Sequence, residues 1–338
     1  MIEDRTAQIK KFLFCAGWPD ADHVLLAQDA SFRSYRRVTY KGKTAVLMDA
    51  PPEREDVRPF LRIAHALSQR GFSAPQIFAE DPKAGLILME DLGDDTFTRL
   101  LDRGSPAQEL YVLATDVLID LHNRMTSDVV MPELKPYSDD LLLAEAALMI
   151  DWYLPAVTVT DVPVAARVAY HEIWKKILKT AHALPQTMVL RDFHVDNLIL
   201  LKGRTGIAAC GLLDFQDALV GPVSYDFISL VEDARRAVSG SLKQAMRERY
   251  LNALPTVDPD AFDLSCTVLG AQRHCKVLGI FTRLSDRDGK VQYLQHVPRI
   301  WNLLELALSD PALTEMKNWF EEFIPPNRRI IPPRRAPK

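Results

Sequence analysis

The sequence predicts an α+β fold in two parts, a small β-rich leading part and a larger, mainly helical second part. Three observations carry this reading. Strand-like runs crowd into the first 90 residues, long helical periodicity takes over from Ser105, and one compact β-like insert interrupts it between residues 188 and 215. With 338 residues, 48% hydrophobic and 25% charged, the chain has the usage of a soluble globular protein and the length for two domains.

Residues 3–16 have helical spacing, with Ile9, Phe12 and Leu13 on one face, and Gly17 stops the helix. Runs 34–40 and 43–48 read as strands joined around Lys41-Gly42, and Pro51-Pro52 ends the second. Residues 55–70 then form a helix with Phe60, Leu61, Ala64 and Leu67 inward and Gly71 just past its end, where positive φ is needed. Strands follow at 76–79 and 85–89, and the composition shifts over 91–104. Ser105, Pro106 and Gln108 then supply an N-cap, a first-turn proline and a capping-box glutamine. Helices are predicted at 138–154 and 163–182, and again from about 225 to 323. Between them lies the insert: MVLRD (188–192), NLILL (197–201) and IAACGLLDF (207–215). The expected division is therefore 1–90, 91–325, and a basic Pro/Arg tail of 326–338 that should be mobile.

Glycine is scarce, 14 residues where average usage gives about 24. No G-x-G and no G-x-x-x-x-G-K-[ST] occurs, which removes the Rossmann fingerprint and the Walker A loop. Net charge is −4 and the sequence pI near 6.1, so nothing draws the chain to nucleic acid or an anionic membrane. Cys15, Cys210, Cys266 and Cys275 include no C-x-x-C pair, and neither a zinc site nor a disulfide framework is signalled. The start carries charges among its apolar residues and no apolar run nears 18, so the expectation is a cytoplasmic protein acting as a monomer.

The chemistry concentrates in the insert. Two short strands bracket R191-D192-F193-H194-V195-D196-N197, and a third ends in Leu213-Asp214-Phe215. A carboxylate on a tight loop can take a proton from an attacking hydroxyl. An amide oxygen five residues on and a second carboxylate at the next strand end can share a hard cation such as Mg²⁺. Asp192 as base with Asn197 and Asp214 as ligands is a phosphoryl-transfer constellation. A bare D-x-x-x-x-N arises by chance about once in a chain this long; the flanking strands, the preceding arginine and the D-F pair 17 residues on lift it above that. Asp196 and Asp217 divide between cap or solvated roles and a metal or substrate role, and His194 reads as bracing its loop.

LRDFHVDNLIL followed by GLLDFQDALVGPVSYDFISL resembles the aminoglycoside phosphotransferase and choline kinase-like branch of the protein-kinase-like fold. The resemblance implies a two-lobe kinase-like architecture with ATP and Mg²⁺. It makes Asp192 the catalytic-loop aspartate, Asn197 and Asp214 the metal ligands, and Asp226 a brace for the catalytic loop alongside Arg191 and His194. DASFRSYRR (29–37) lies where the nucleotide-covering loop belongs, offering Ser31, Phe32, Arg33 and Ser34. AVLM (45–48) lies at the third strand and LILMEDLG (86–93) at the lobe hinge, offering Met48, Glu90 and Leu92.

Finer runs, LMDAPPE (47–53), LDFQDALVGPVSYD and QRHCKVLGIFTRL (272–284), are similar to the anomeric amino-sugar kinases of bacterial cell-wall recycling. These phosphorylate the C1 hydroxyl of N-acetylmuramate and N-acetylglucosamine, which implies a small-molecule sugar partner. Arg273, Tyr153 and Asp217 are then substrate-binding candidates, although Tyr153 sits equally well in a core. Three departures stand out: Met48 at the strand-lysine position, Leu190 where the family has histidine, and D-F-Q for D-F-G. Arg33 is the favoured replacement for the missing lysine. Other acceptors (an aminoglycoside, choline, homoserine) or an inactive nucleotide-binding protein are the competing readings.

Overall fold

The computed structural model describes residues 5–28, 32–124, 134–158 and 162–333. The chain packs as two compact units: Met1–Val117 with Val195–Ala218, and Leu118–His194 with Leu219–Lys338.

The first unit opens with helix α1 (Arg5–Cys15) and strands β1 (Asp22–Gln28), β2 (Ser34–Tyr40) and β3 (Lys43–Asp49). Helix α2 (Arg58–Gln69), strands β4 (Ile77–Asp81) and β5 (Leu86–Glu90) and helix α3 (Phe97–Asp102) follow, and α4 (Ala107–Arg124) begins here. The strands form one antiparallel sheet in the order β1-β2-β3-β5-β4. Side chains alternate across it: Val38, Ala45, Leu47, Leu86 and Leu88 pack on Ile9 and Leu13 of α1, while Val46 and Met89, paired in register, face the other way. The β2–β3 turn has positive φ at both Lys41 (47°) and Gly42 (76°), the backbone that matches strand twist in a two-residue hairpin. Gly85 is required twice over, by its φ of 66° and because a Cβ there would lie 1.9 Å from the Ala50 carbonyl oxygen.

Three sequence expectations change in this unit. Strand β1 was not foreseen, because HVLLAQ lacks alternation and sits at the sheet edge. Helix α2 starts at Arg58 rather than Glu55, since Asp56 turns its carboxylate onto the Arg58 N–H (3.0 Å). The division also falls elsewhere than at residue 90. The hairpin of Leu198–Leu200 with Cys210–Leu212 joins the first unit through Leu212 N–H to Ser73 O (2.9 Å), Ser73 Oγ to Ala208 O (2.7 Å) and Leu200 N–H to Asp95 O (2.9 Å).

The second unit is a helical body with one small ladder, Gln186–Val189 against Leu219–Pro222. Its helices are α5 (Asp139–Leu148), α6 (Leu154–Thr158), α7 (Val164–Ala181), α8 (Ser224–Val231), α9 (Gly240–Ala253), α10 (Pro259–Asp288), α11 (Val297–Leu308) and α12 (Thr314–Phe323). A π-helical turn, Met149–Tyr153, joins α5 to α6, and α10 packs against α5, α7, α8 and α11. The helix from Asp139 to Thr158 is apolar (mean hydropathy 1.4) because most of it is buried in this core.

The tail departs from its expected mobility as far as it is described. Tyr153 Oη donates to the Ile330 carbonyl (2.7 Å), and Arg329 pairs with Glu305 (2.7 Å), donates to the Ile324 carbonyl (2.9 Å) and lies over the Trp301 ring. The aromatic seat that Trp301 gives to Arg329 holds this segment.

Candidate active site

In the first unit a cavity of about 340 Å³ has apolar walls of Val46, Met89, Leu92, Ile199 and Leu213. The segment Glu90, Asp91, Leu92 and Gly93 forms one border, and Asn197 and Asp214 form part of another. The segment is held from outside: Arg37 donates to both oxygens of Asp91 (2.7 and 3.1 Å) and both of Asp94 (2.9 and 3.2 Å). Glu90 turns its carboxylate to Arg204 and to the Gln76 N–H. Sequence reasoning missed Asp91 and Asp94, and it weighed Arg37 only as one of the basic residues that could replace the strand lysine; the facing charge patterns in RSYRR and EDLGDD were the available signal for their pairing.

Asn197 and Asp214 come together through the 198–212 hairpin, whose ladder is extended by Leu213 N–H donating to the Asn197 carbonyl (3.0 Å). Asp214 sits in the left-handed region (φ 56°). The Gln216 amide donates to its Oδ1 (2.7 Å), and Phe215 stacks on Phe60 at 5.0 Å, anchoring the strand end. Asp217 is exposed and does not line the cavity. Thr98 donates to Asp196, a cap-like role.

The proposed covering-loop residues are not at this cavity. Ser31 lies outside the described residues. Phe32 is 59% exposed beneath the Arg54 guanidinium, Arg33 is directed to Glu55 (3.3 Å), and Ser34 opens β2 opposite Asp49. Met48 is fully buried, two residues beyond the cavity-lining Val46 on the same face. Arg33, favoured from the sequence as the replacement for the strand lysine, is thus paired with Glu55.

In the second unit the Asp192 loop is built from three sides. Asp226, on the buried helix α8, accepts the backbone N–H groups of Leu190 (2.5 Å) and Arg191 (2.9 Å). Burial pushes its carboxyl up to about 7, against the pull of these two hydrogen bonds. Arg191 is held at φ 71°, a strained backbone for a long side chain, with its guanidinium on Glu145. Arg273 of α10 donates to the Arg191 carbonyl (3.2 Å) and stands 3.9 Å from Asp192 Oδ1.

Asp192 is thus surrounded by positive charge. Burial raises its carboxyl, but the cations Lys276, Arg273 and Arg191 outweigh this and hold it below the usual carboxylate range. Its side chain remains 37% exposed, so a substrate can reach it. His194 is buried, and burial lowers its pKa, keeping it neutral beside the loop. Glu145 went unnoticed in the sequence, where it sits in a helix as LLLAEAAL. It is the hub beneath the loop, meeting Lys276 (3.0 Å), Arg191 and the Tyr137 hydroxyl.

Tyr153 is corrected from substrate candidate to core residue. It is fully buried, accepts from Trp301 Nε1 (2.8 Å) and holds the tail. Arg273 is only 6% exposed and is engaged with the Asp192 loop rather than open to a pocket.

Residues 22–261 match the model of a phosphotransferase enzyme family, APH. The chain belongs to this family. Among relatives, the N-acetylmuramate/N-acetylglucosamine kinase of Caulobacter vibrioides is 35% identical, with 97% of this chain and 99% of the relative covered. The enzyme of that name from Pseudomonas aeruginosa is also 35% identical, covering 90% of each. Among solved structures, ADP-bound aminoglycoside phosphotransferase APH(2'')-Ib aligns with a TM-score of 0.60 at 15% identity, covering 91% of this chain and 99% of its own. Choline kinase LicA from Streptococcus pneumoniae aligns at 0.61 and 11% identity, with 90% and 99% covered. The α+β kinase-like fold expected from the sequence is therefore present: a five-stranded antiparallel sheet in the first unit and a helical second unit. As a phosphotransferase of this family, the chain departs from the expected lysine at Met48 and carries glutamine after Asp214-Phe215, here bonded back to Asp214.

Proposed function

We propose that this phosphotransferase is an ATP-dependent sugar kinase, moving the γ-phosphoryl group to the anomeric C1 hydroxyl of N-acetylmuramate and N-acetylglucosamine in cell-wall recycling in the cytoplasm. The observation that carries the reading is Asp192: an accessible carboxylate on a loop braced by Asp226 and kept ionised by surrounding cations. A hemiacetal hydroxyl is more acidic than an ordinary alcohol, so a weak base of this kind suits it. The names of the relatives support the two sugars.

In the proposed reaction Asp192 accepts a hydrogen bond from the C1 hydroxyl and takes its proton as the O1–Pγ bond forms and the bond from Pγ to the bridging oxygen breaks. ADP leaves, and the proton on Asp192 passes to water. The apolar cavity between Val46, Leu92 and Ile199 is suited to a flat base, with the backbone of residues 90–93 along its border. Asn197 and Asp214 are hard oxygen donors fixed on one rim by the Leu213–Asn197 hydrogen bond, and they fit Mg²⁺. Mg²⁺ held there would neutralise charge on the β and γ phosphates.

The test is ADP release with MgATP and each sugar, with the phosphate located by its NMR coupling to the anomeric proton. ADP release with both sugars and a C1 phosphate is the expected result; release only with choline, homoserine or an aminoglycoside overturns the acceptor. Asp192→Asn should lower kcat by about 10²–10⁴-fold while retaining ATP binding by calorimetry. Near-normal turnover in that variant excludes Asp192 as the base.

A further inference from the structure

Arg191 turns the chain into Asp192, and its backbone is held in the left-handed region at φ 71°. A long side chain stays in that strained conformation only when its surroundings over-determine it. Three groups do so, all within the second unit. Asp226 accepts the Arg191 N–H (2.9 Å), Glu145 takes its guanidinium, and Arg273 of α10 donates through Nη1 to its carbonyl (3.2 Å). That carbonyl belongs to the peptide bond leading into Asp192, so Arg273 fixes the plane from which the carboxylate projects.

The same nitrogen faces the reacting group. Arg273 Nη1 stands 3.9 Å from Asp192 Oδ1, and the arginine side chain is 8% exposed where the aspartate is 37%. The cation thus lies on the protein side of the carboxylate and leaves its open side to substrate. Arg273 is itself fixed, with its guanidinium 5.9 Å from the centroid of the fully buried Tyr225 ring, whose hydroxyl accepts from Tyr137 (2.9 Å). Three residues on along α10, Lys276 pairs with Glu145 (3.0 Å), so one helix face serves the loop twice: Arg273 through the backbone, Lys276 through the carboxylate that holds the Arg191 guanidinium. Arginine keeps its charge in such a buried place. A cation beside a carboxylate keeps it ionised before proton transfer and favours release of the proton afterwards.

We infer that Arg273 is a positioning residue for phosphoryl transfer: it aims Asp192 through the Arg191 carbonyl and holds the carboxylate charged, and it does not bind the sugar. The assignment rests on the reading above that Asp192 is the base. The experiment measures kcat and both KM values in Arg273→Met, Arg273→Gln and Arg273→Lys, and in Arg273→Met combined with Asp192→Asn. Arg273→Met should lower kcat about tenfold or more with each KM within about twofold of the wild type. Arg273→Lys keeps the buried charge, and its one nitrogen can meet both partners, so it should stay within about threefold; Arg273→Gln, a donor without the charge, should lie between. A residue that acts through Asp192 adds nothing once that carboxylate is gone, so the double variant should turn over as slowly as Asp192→Asn alone. If Arg273→Met does not fold, Arg273→Gln takes its place throughout. Wild-type kcat in the folded methionine variant, a lysine variant slowed as much as that one, a raised sugar KM in place of the loss in kcat, or losses that multiply in the double variant overturn the assignment and leave the kinase reading intact. Near-normal turnover in Asp192→Asn defeats the reading beneath it, and this one with it.

Discussion

Glu145 carries more of the loop's geometry than any residue legible in the sequence. It is buried among Lys276, Arg191 and Tyr137, and burial that should raise its carboxyl is overcome by the two cations, which hold its pKa low. Removing the charge strands two buried cations, a loss of about 3–5 kcal/mol in comparable sites. Glu145→Gln should therefore unfold at markedly lower temperature and lower kcat at least tenfold, because Arg191 no longer fixes the strained backbone that aims Asp192. ATP binding measured below the melting transition should persist. A variant that loses stability but keeps full kcat when folded would show that Glu145 only fills the core.

Helix packing in the second unit depends on one small residue. A Cβ at Gly279 on α10 would lie 2.3 Å from the carbonyl carbon and oxygen of Leu148, where α5 passes into the π-helical turn. Backbone cannot yield as a side chain does, so Gly279→Ala should cost about 2 kcal/mol or more, lowering Tm by roughly 5 °C. Gly240, in the first turn of α9, has nothing within 4 Å, and Gly240→Ala should be neutral or slightly stabilising. Differential scanning calorimetry on both variants checks the pair; equal melting temperatures would mean that α5 and α10 are not in such close contact.

At the scale of the molecule, buried titratable groups set the pH response. Burial lowers His122 to about 3 and His274 to about 4, so between pH 6.5 and 4 only the unfolded chain protonates them, and stability falls on acidification. Asp226 acts oppositely: raised to about 7, it binds its proton in the native state before the unfolded chain does, and stability rises as pH falls through that range. Two histidines against one carboxylate leave a net loss of up to about 1.4 kcal/mol per pH unit between pH 6 and 4.5. Denaturant titrations at pH 6.5, 5.5 and 4.5 should show this slope, and His274→Gln should flatten it. A slope that survives that substitution removes His274 from the account.

Local pattern was enough for much of this protein. The five-residue spacing of Asp192 and Asn197, Asp214 at a strand end, and the apolar periodicities at 34–48, 85–89 and 163–182 all depend on near neighbours in the chain. The edge strand β1, the membership of the 198–212 hairpin in the first unit, the Glu145 hub and the seat of the tail on Trp301 were not legible. Apart from β1, whose partners in β2 lie 6 to 17 positions on, each joins residues tens to more than a hundred positions apart. Such contacts are chosen by which apolar faces bury one another and which buried charges must then be paired, and neither periodicity nor motif spacing encodes that choice.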